Sequence, residues 1–355
     1  MGKLESPRPD GPVIDGEALI IKGWISPARP LALLIDGNLA CQFVPDKNRP
    51  EIASAEKLRD DKVGFEIRLR PANAIGAHRV EIADVSTGSR TALLSSEFSI
   101  YPREHLPSDP FYIVTHERSG THFLINTLLR NTIVRGGQAG LTEWYGPYND
   151  PTSRLKPIKH IADNWRSVGE LVTMLKTHSD YPLYKAHYHP AKNIYVQRDP
   201  RDTLTSFYHY LNSDAFHQNQ PQAGDQRSKS MSEFLRKPLT PFLRWCYSLN
   251  GDARNVVERW ALHTAGWQHA ENTRTVHYED LKRDYEAVLA EVIAFIGLRL
   301  QPVRKPVGLF DELSVLPRKG IVGDWKSLFS ADDNAFVKKT VEAAGVPWDS
   351  ARWID

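Results

Sequence analysis

Two contrasting textures in one chain predict an α/β domain with a parallel sheet and flanking helices, preceded by a small all-β sandwich domain. Between Val13 and Tyr101 short β-type runs alternate with turn signals, whereas beyond about residue 105 apolar-rich runs alternate with longer helical patterns. Between the two lies "YPREHLPSDP", residues 101 to 110, a polar stretch with three prolines that suits a linker. Strands alternating with helices indicate a parallel sheet with crossovers, and regularly spaced strands without helices indicate an antiparallel sandwich. The expected division is 1–104 and 105–355.

In the first region the runs are "ALIIKGWIS", "LALLIDG", "VGFEIRLRP", "HRVEIADV" and "RTALLSSEFSI", separated by "SPARP", "DG", "PANAIG" and "STGSR". Only "PEIASAEKLRDD" reads as helix, and the leading "MGKLES" reads as a disordered leader. The Gly-Trp start and "IDG" hairpin resemble immunoglobulin-like modules attached to carbohydrate-active enzymes. That resemblance implies saccharide or partner binding, and a bracing spacer fits the same residues equally well.

In the second region Phe111 to Thr115, Pro182 to Ala186, Ile194 to Gln197 and Thr273 to His277 are the expected strands. Val168, Leu171, Val172 and Leu175 recur at i, i+3, i+4, i+7 after a Ser167/Glu170 capping box, which predicts a helix over 168–178. Residues 212 to 232 are too polar for core and read as a mobile loop over a site.

Composition narrows the function classes. Lys plus Arg number 45 against 43 Asp plus Glu, a net charge of +2, so no global field draws the chain to nucleic acid or membrane and any anion site is local. Cys41 and Cys246 are the only cysteines, which gives neither a disulfide framework nor metal spacing and suits a reducing compartment. No eighteen apolar residues run together and the start lacks an apolar leader core, so the expectation is a cytoplasmic protein without a transmembrane segment. Oligomeric state is left open.

Chemistry concentrates in three stretches. In "FYIVTHERSGTHFLINTLLRN", residues 111 to 131, a strand runs through His116, Glu117, Arg118, Ser119, Gly120 and Thr121 into a helix with Phe123, Leu124, Thr127 and Leu128 on one face. Backbone N–H groups at a helix start favour an anion, Gly120 permits close approach, the hydroxyls donate, and Arg118 supplies a forked charge. A nucleoside triphosphate loop would need a lysine after its second glycine and a hydroxyl for magnesium; neither stands in that register. Taken alone, the loop also fits an ordinary capped turn.

The second stretch, "NIYVQRDPRDTLTSFYHYL" at 193 to 211, is again strand, charged turn and helix, with Arg198 at the strand's carboxyl end and Ser206 eight residues on. Some of Arg198, Asp199, Arg201 and Asp202 are expected to be surface ion pairs. The third, "PRKGIVGDWKSLF" at 317 to 329, sets Arg318 and Lys319 beside Gly320, a further clamp for phosphate.

Together "ERSGTHFL", "YVQRDPRDTLTSFYHY" and "RKGIVGDWKSLF" resemble, in order, the 5'-phosphosulfate loop, the 3'-phosphate motif and the C-terminal clamp of cytosolic-type sulfotransferases, over about residues 108 to 330. The resemblance implies a P-loop-like fold and 3'-phosphoadenosine 5'-phosphosulfate (PAPS) as co-substrate, with no metal. It implies that Arg118 replaces the family's loop lysine and that Ser119, Gly120, Thr121 and His122 line the 5'-phosphate. It further implies that Arg198, Ser206, Arg318, Lys319 and Gly320 hold the 3'-phosphate, with Tyr278 and Phe123 on the adenine side. Arginine at 118 keeps the charge and cannot readily transfer a proton.

The family places its general base in Lys-Thr-His at a strand end, and two stretches compete: "LKTH" at 175–178 and "YKAH" at 184–187. Because 168–178 reads as helix and "YPLYKAH" as strand, His187 with Lys185 is favoured over His178 with Lys176. The expected acceptor is a small-molecule or saccharide hydroxyl or amine, its pocket walled by residues 141 to 148, Phe207, Tyr208, His209 and the loop after Asn212. A kinase of related fold and a non-catalytic nucleotide-binding relative are the alternatives.

Overall fold

The computed structural model describes residues 1–6, 11–15, 18–59, 61–69, 75–86, 89–102, 111–132, 143–144, 174–182, 185, 192–245, 252–298 and 320–353. The chain divides into two compact units, Met1–Leu106 and Pro107–Asp355.

The first unit holds strands β1 (Gly2–Ser6), β2 (Gly11–Ile14), β3 (Leu19–Ile25), β4 (Leu31–Ile35), β5 (Asn38–Phe43), β6 (Gly64–Leu69), β7 (Gly76–Asp84) and β8 (Thr91–Tyr101), with helix α1 (Pro50–Ala55). A three-stranded sheet ordered β1-β3-β6 and a five-stranded sheet ordered β2-β8-β7-β4-β5 share one apolar core. Alternate residues supply it: Leu19 and Ile21 from β3, Leu31 and Leu33 from β4, Val80 and Ile82 from β7, Phe98 and Ile100 from β8. All pairings are antiparallel except β2 with β8. Two expectations change. The leader "MGKLES" is a strand, Gly2 to Ser6 pairing with β3, and the short edge strand β5 was absent from the sequence reading.

The second unit is built on a parallel sheet of β9 (Phe111–Thr115), β10 (Glu143–Trp144), β11 (Met174–Thr177), β12 (Asn193–Gln197) and β13 (Thr273–His277), ordered β10-β11-β9-β12-β13. Central strands β9 and β12 are buried at every residue, as a sheet covered on both faces requires. Helices follow as α2 (Thr121–Asn131), α3 (Pro200–Asn212), α4 (Asp214–Asn219), α5 (Met231–Arg236), α6 (Pro241–Trp245), α7 (Val256–Gln268), α8 (Tyr278–Arg283), α9 (Tyr285–Ile296) and α10 (Ala331–Ala343). Their ends are chemically marked. Asp199 caps α3 ahead of Pro200, Asn255 caps α7, Gly297 closes α9 at φ 82°, and Ser330 with Asp333 forms a capping box on α10.

Three expectations are overturned here. Residues 174–177, expected as helix, form β11, because they pair with β9 on one side and β10 on the other. Four residues are too few for periodicity to separate strand from helix, and pairing on both edges decides it. The strand expected at 182–186 is not present in its described part: Tyr181, Pro182 and Lys185 are helical. Residues 212–232 are largely ordered structure, since α4, the 3-10 turn Pro221–Ala223 and the start of α5 bury Phe216, Ala223 and Met231 in the core that also takes Leu204, Phe207, Trp260 and Trp353.

Candidate active site

The cradle forms where β9 ends and α2 begins. Arg118 takes a left-handed backbone, φ 69°, and Gly120 caps α2 at φ 99°. A Cβ built on Gly120 would lie 2.3 Å from Tyr278 Cδ2, so only glycine lets this turn pack there. At its base the hydroxyls of Thr115 and Thr121 sit 2.6 Å apart, and Ser119 is buried.

Arg198 leaves the end of β12 and reaches across the cradle. It donates from Nη2 to Ile321 O (2.8 Å) and from Nη1 to Arg118 O (3.4 Å), with its guanidinium 4.5 Å from the Tyr278 ring centroid. Its Nε is buried without a hydrogen-bond partner among the described residues, an orphaned donor that an anion would satisfy. Arg118 Nε donates to Ser206 Oγ (3.2 Å), which joins the loop to the first turns of α3, and its guanidinium lies 5.0 Å from the Tyr210 ring centroid. Tyr278 is fully buried and donates from its hydroxyl to Gly320 O (3.0 Å). Gly120, Arg198, Ser206, Tyr278 and Gly320 therefore meet around one loop.

Arg198, Asp199, Arg201 and Asp202 are all buried, none being the surface ion pair expected. Asp202 accepts Gly323 N–H (2.7 Å) and Trp325 N–H (3.1 Å), which ties the Gly-Asp-Trp turn to α3. Arg201 bridges Asp199, Asn334 Oδ1 and Trp353 O and stacks on Trp325. Phe207 is core, edge-on to Phe234, rather than an acceptor wall; Tyr208 packs on Phe234, and His209 is exposed.

Because β11 lies beside β9, "LKTH" delivers its side chains to the cradle. Lys176 is buried with Nζ 3.5 Å from His122 Nε2. His178 Nδ1 donates to Thr115 O (2.7 Å), since a carbonyl only accepts, and this leaves the lone pair on Nε2. Burial, then the Lys176 charge, pushes the His178 pKa down to about 3. Burial likewise lowers Lys176 to about 7, with Arg118 adding to the shift and Glu117 opposing it, and His122 falls to about 3 for burial, Lys176 and Arg118. Lys185 is exposed, its ammonium 5.9 Å from the Tyr181 ring centroid. His187, Arg318, Lys319, and 141–148 apart from Glu143 and Trp144, lie outside the described residues. Sequence reasoning ranked Lys176 and His178 second, because 168–178 reads as helix, although they are the literal motif match; the pairing of 174–177 with β9 brings them to the cradle.

With β9 as its first strand, the sheet reads 2-3-1-4-5, and its polar groups gather at the carboxyl ends of β9, β11 and β12; this defines an α/β domain of P-loop-like order. The family description "Sulfotransferase domain" matches residues 108–314, more than half of the chain, and the chain belongs to the sulfotransferase family. Among curated proteins it is 28% identical over 193 residues to the 3-alpha-hydroxysteroid sulfotransferase of Cavia porcellus, covering 46% of this chain and 60% of that one. It is 25% identical over 286 residues to Sulfotransferase 2B1 of Mus musculus, covering 68% and 75%. Of solved structures, the mouse sulfotransferase SULT7A1 complexed with PAP is 20% identical at a TM-score of 0.45, covering 69% of this chain and 87% of that one. No described helix is long and apolar enough to cross a membrane, and no described group of His, Cys, Asp or Glu could hold a metal ion.

Proposed function

We propose that this chain is a PAPS-dependent sulfotransferase acting on a hydroxyl or amine acceptor, with His178 as general base. The observation that carries the reading is the convergence of Arg118, Lys176 and Arg198 with the Ser206 hydroxyl at one loop between β9 and α2. Three cations and a helix start suit a donor with two phosphate-bearing ends. Its similarity to the 3-alpha-hydroxysteroid sulfotransferase and to Sulfotransferase 2B1 supports the same reading.

In this reading Ser119, Gly120 and Thr121 hold the 5'-phosphate, and Arg198 and Ser206 hold the 3'-phosphate. Gly320, with Arg318 and Lys319, closes over the 3' side, and Phe123 with Tyr278 bounds the adenine. Sulfonyl transfer proceeds in line with charge growing on the leaving oxygen. His178 Nε2 takes the acceptor's proton, the acceptor oxygen bonds to sulfur, and the sulfur–oxygen bond to the 5'-phosphate breaks with its electron pair remaining on PAP. Lys176 and Arg118 stabilise that oxygen. Low basicity in the empty site suits His178 less than a bound donor would, since two phosphates nearby raise its pKa.

The N-terminal β unit, read as an immunoglobulin-like module, favours a saccharide or glycoconjugate acceptor, and the relatives' names favour a hydroxysteroid. Purified protein is tested first by thermal shift with PAP and with ATP and magnesium, then by screening saccharides, hydroxysteroids and phenols with labelled PAPS. Protection by PAP and label transfer to one class are expected. Protection by ATP with magnesium alone would replace this reading with a kinase.

A further inference from the structure

Behind the cradle lies a buried polar group that the scheme above does not use. Arg259 on α7 donates from Nη2 to Glu117 Oε1 (2.6 Å) and from Nη1 to His116 Nε2 (3.2 Å). His116 Nδ1 donates to Glu117 O (3.0 Å), so His116 is a neutral imidazole with both nitrogens engaged. His263 stands edge-on to His116 and shares a hydrogen-bond chain with Tyr195 and Thr264. Glu117, Arg259, His116 and His263 are all buried, and Glu117 Oε2 has no hydrogen-bond partner among the described residues.

A lone ion pair in a core is weak evidence for stability, because desolvation offsets most of its attraction. Glu117 immediately precedes Arg118 and lies two residues past Thr115, whose carbonyl accepts from His178 (2.7 Å), and its charge acts on both Lys176 and His178. The groups facing His178 are Thr115 from β9, Lys176 on its own strand, His116 and Glu117 from the loop, and His263 from α7.

We propose that Glu117 is a positioning residue for sulfonyl transfer: its carboxylate, fixed by Arg259, is the counter-charge that lets His178 take up the acceptor's proton beside Lys176 and Arg118. The inference rests on the sulfotransferase reading above. Without the Glu117 charge, an imidazolium on His178 would form beside Lys176 and Arg118 with only the donor's phosphates to offset them, and the proton transfer would be less favourable. Burial would raise Glu117's own pKa, yet the permanently charged Arg259 guanidinium bonded to it holds it well below the usual carboxylate range, so the charge is present throughout the working pH range. Its second oxygen makes no hydrogen bond among the described residues and lies 3.6 Å from His116 Nε2.

The test uses the full chain, PAP calorimetry, and single-turnover release of labelled sulfate from PAPS to water, so that no acceptor need be known. For Glu117→Gln the transfer rate is expected to fall about tenfold or more, with PAP affinity unchanged within about threefold or tighter. The acid limb of the rate profile should move to lower pH, because removing an anion disfavours the imidazolium. Glu117→Asp should recover most of the rate. The double variant Glu117→Gln/Arg259→Met removes the whole ion pair, stands in if the single variant does not fold, and should stay slow. A double variant at the wild-type rate, or Glu117→Gln with an unmoved rate and acid limb, overturns the inference while leaving the sulfotransferase reading intact. Wild-type protein that binds no PAP fails that reading itself.

Discussion

Gly120 and Tyr278 occupy a space with no room for one more carbon: a Cβ at Gly120 would come within 2.3 Å of Tyr278 Cδ2 and 2.7 Å of Cε2. The tyrosine in turn carries Arg198 on its ring face and bonds Gly320 O, so one missing methyl sets the spacing of three segments far apart in sequence. Gly120→Ala is therefore expected to cost about 2–5 kcal/mol, part from the clash and part from a left-handed backbone that alanine resists. Thermal unfolding reads the loss, and PAP should no longer protect the variant. Tyr278→Ala is itself destabilising because the ring is buried, but it removes the clash and not the backbone cost, so Gly120→Ala should cost less in that background than in wild type while still costing about 1–3 kcal/mol; no residual cost there would refute the φ argument.

The choice of base is decided by two alanines. His178→Ala should lower PAPS turnover by about a hundredfold or more, the range of a lost general base, while His187→Ala should stay within about threefold. The opposite pattern would remove β11 from the chemistry.

What the sequence disclosed and what it hid divide by locality. The path from Phe111 through Arg118 and Gly120 into α2 was readable because strand, turn and helix signals lie within twenty residues, as were Arg198 and Ser206 at the end of β12 and in α3. β11 was hidden because its identity comes from partners at 111–114 and 143–144, whereas its own residues fit a helical period equally well. Asp202 looked like a solvated charge, and only the fold shows that it holds the backbone of Gly323 and Trp325. Residues 212–232 looked too polar to pack because Phe216, Ala223 and Met231 are sparse anchors, each reaching the core across a polar turn.

Lys176 makes donor binding a proton-linked event. Burial holds its pKa down to about 7 in the empty site, and phosphates beside it favour the ammonium, so its pKa rises in the complex. Near pH 7 binding should take up about half a proton through this group. Calorimetry of PAP binding in buffers of different ionisation heat measures the uptake, and affinity should weaken as pH rises from 7 to 9. Lys176→Met should flatten that dependence; an unchanged slope would assign the proton elsewhere.

Glu279 should destabilise the fold above neutral pH. Burial raises its pKa to about 7, with the Asp199 N–H bond opposing the shift and the Asp199 charge adding to it. A folded pKa above the unfolded value of about 4.5 means that the stability it contributes is full below that value and lost as pH rises through 7. Its Oε1 accepts the Asp199 N–H (2.8 Å), fixing the residue that caps α3, while Oε2 is buried without a hydrogen-bond partner among the described residues. Glutamine keeps that acceptor and removes the charge. Glu279→Gln should therefore leave stability near pH 5 almost unchanged and raise it by about 2 kcal/mol at pH 8, below the shift's full conversion because the buried carboxylate relaxes. Denaturant melts of both proteins at the two pH values measure the difference. A gain of equal size at both would mean that a packing change is responsible, and a loss at pH 8 would mean that the carboxylate is satisfied by a partner whose attraction outweighs its burial.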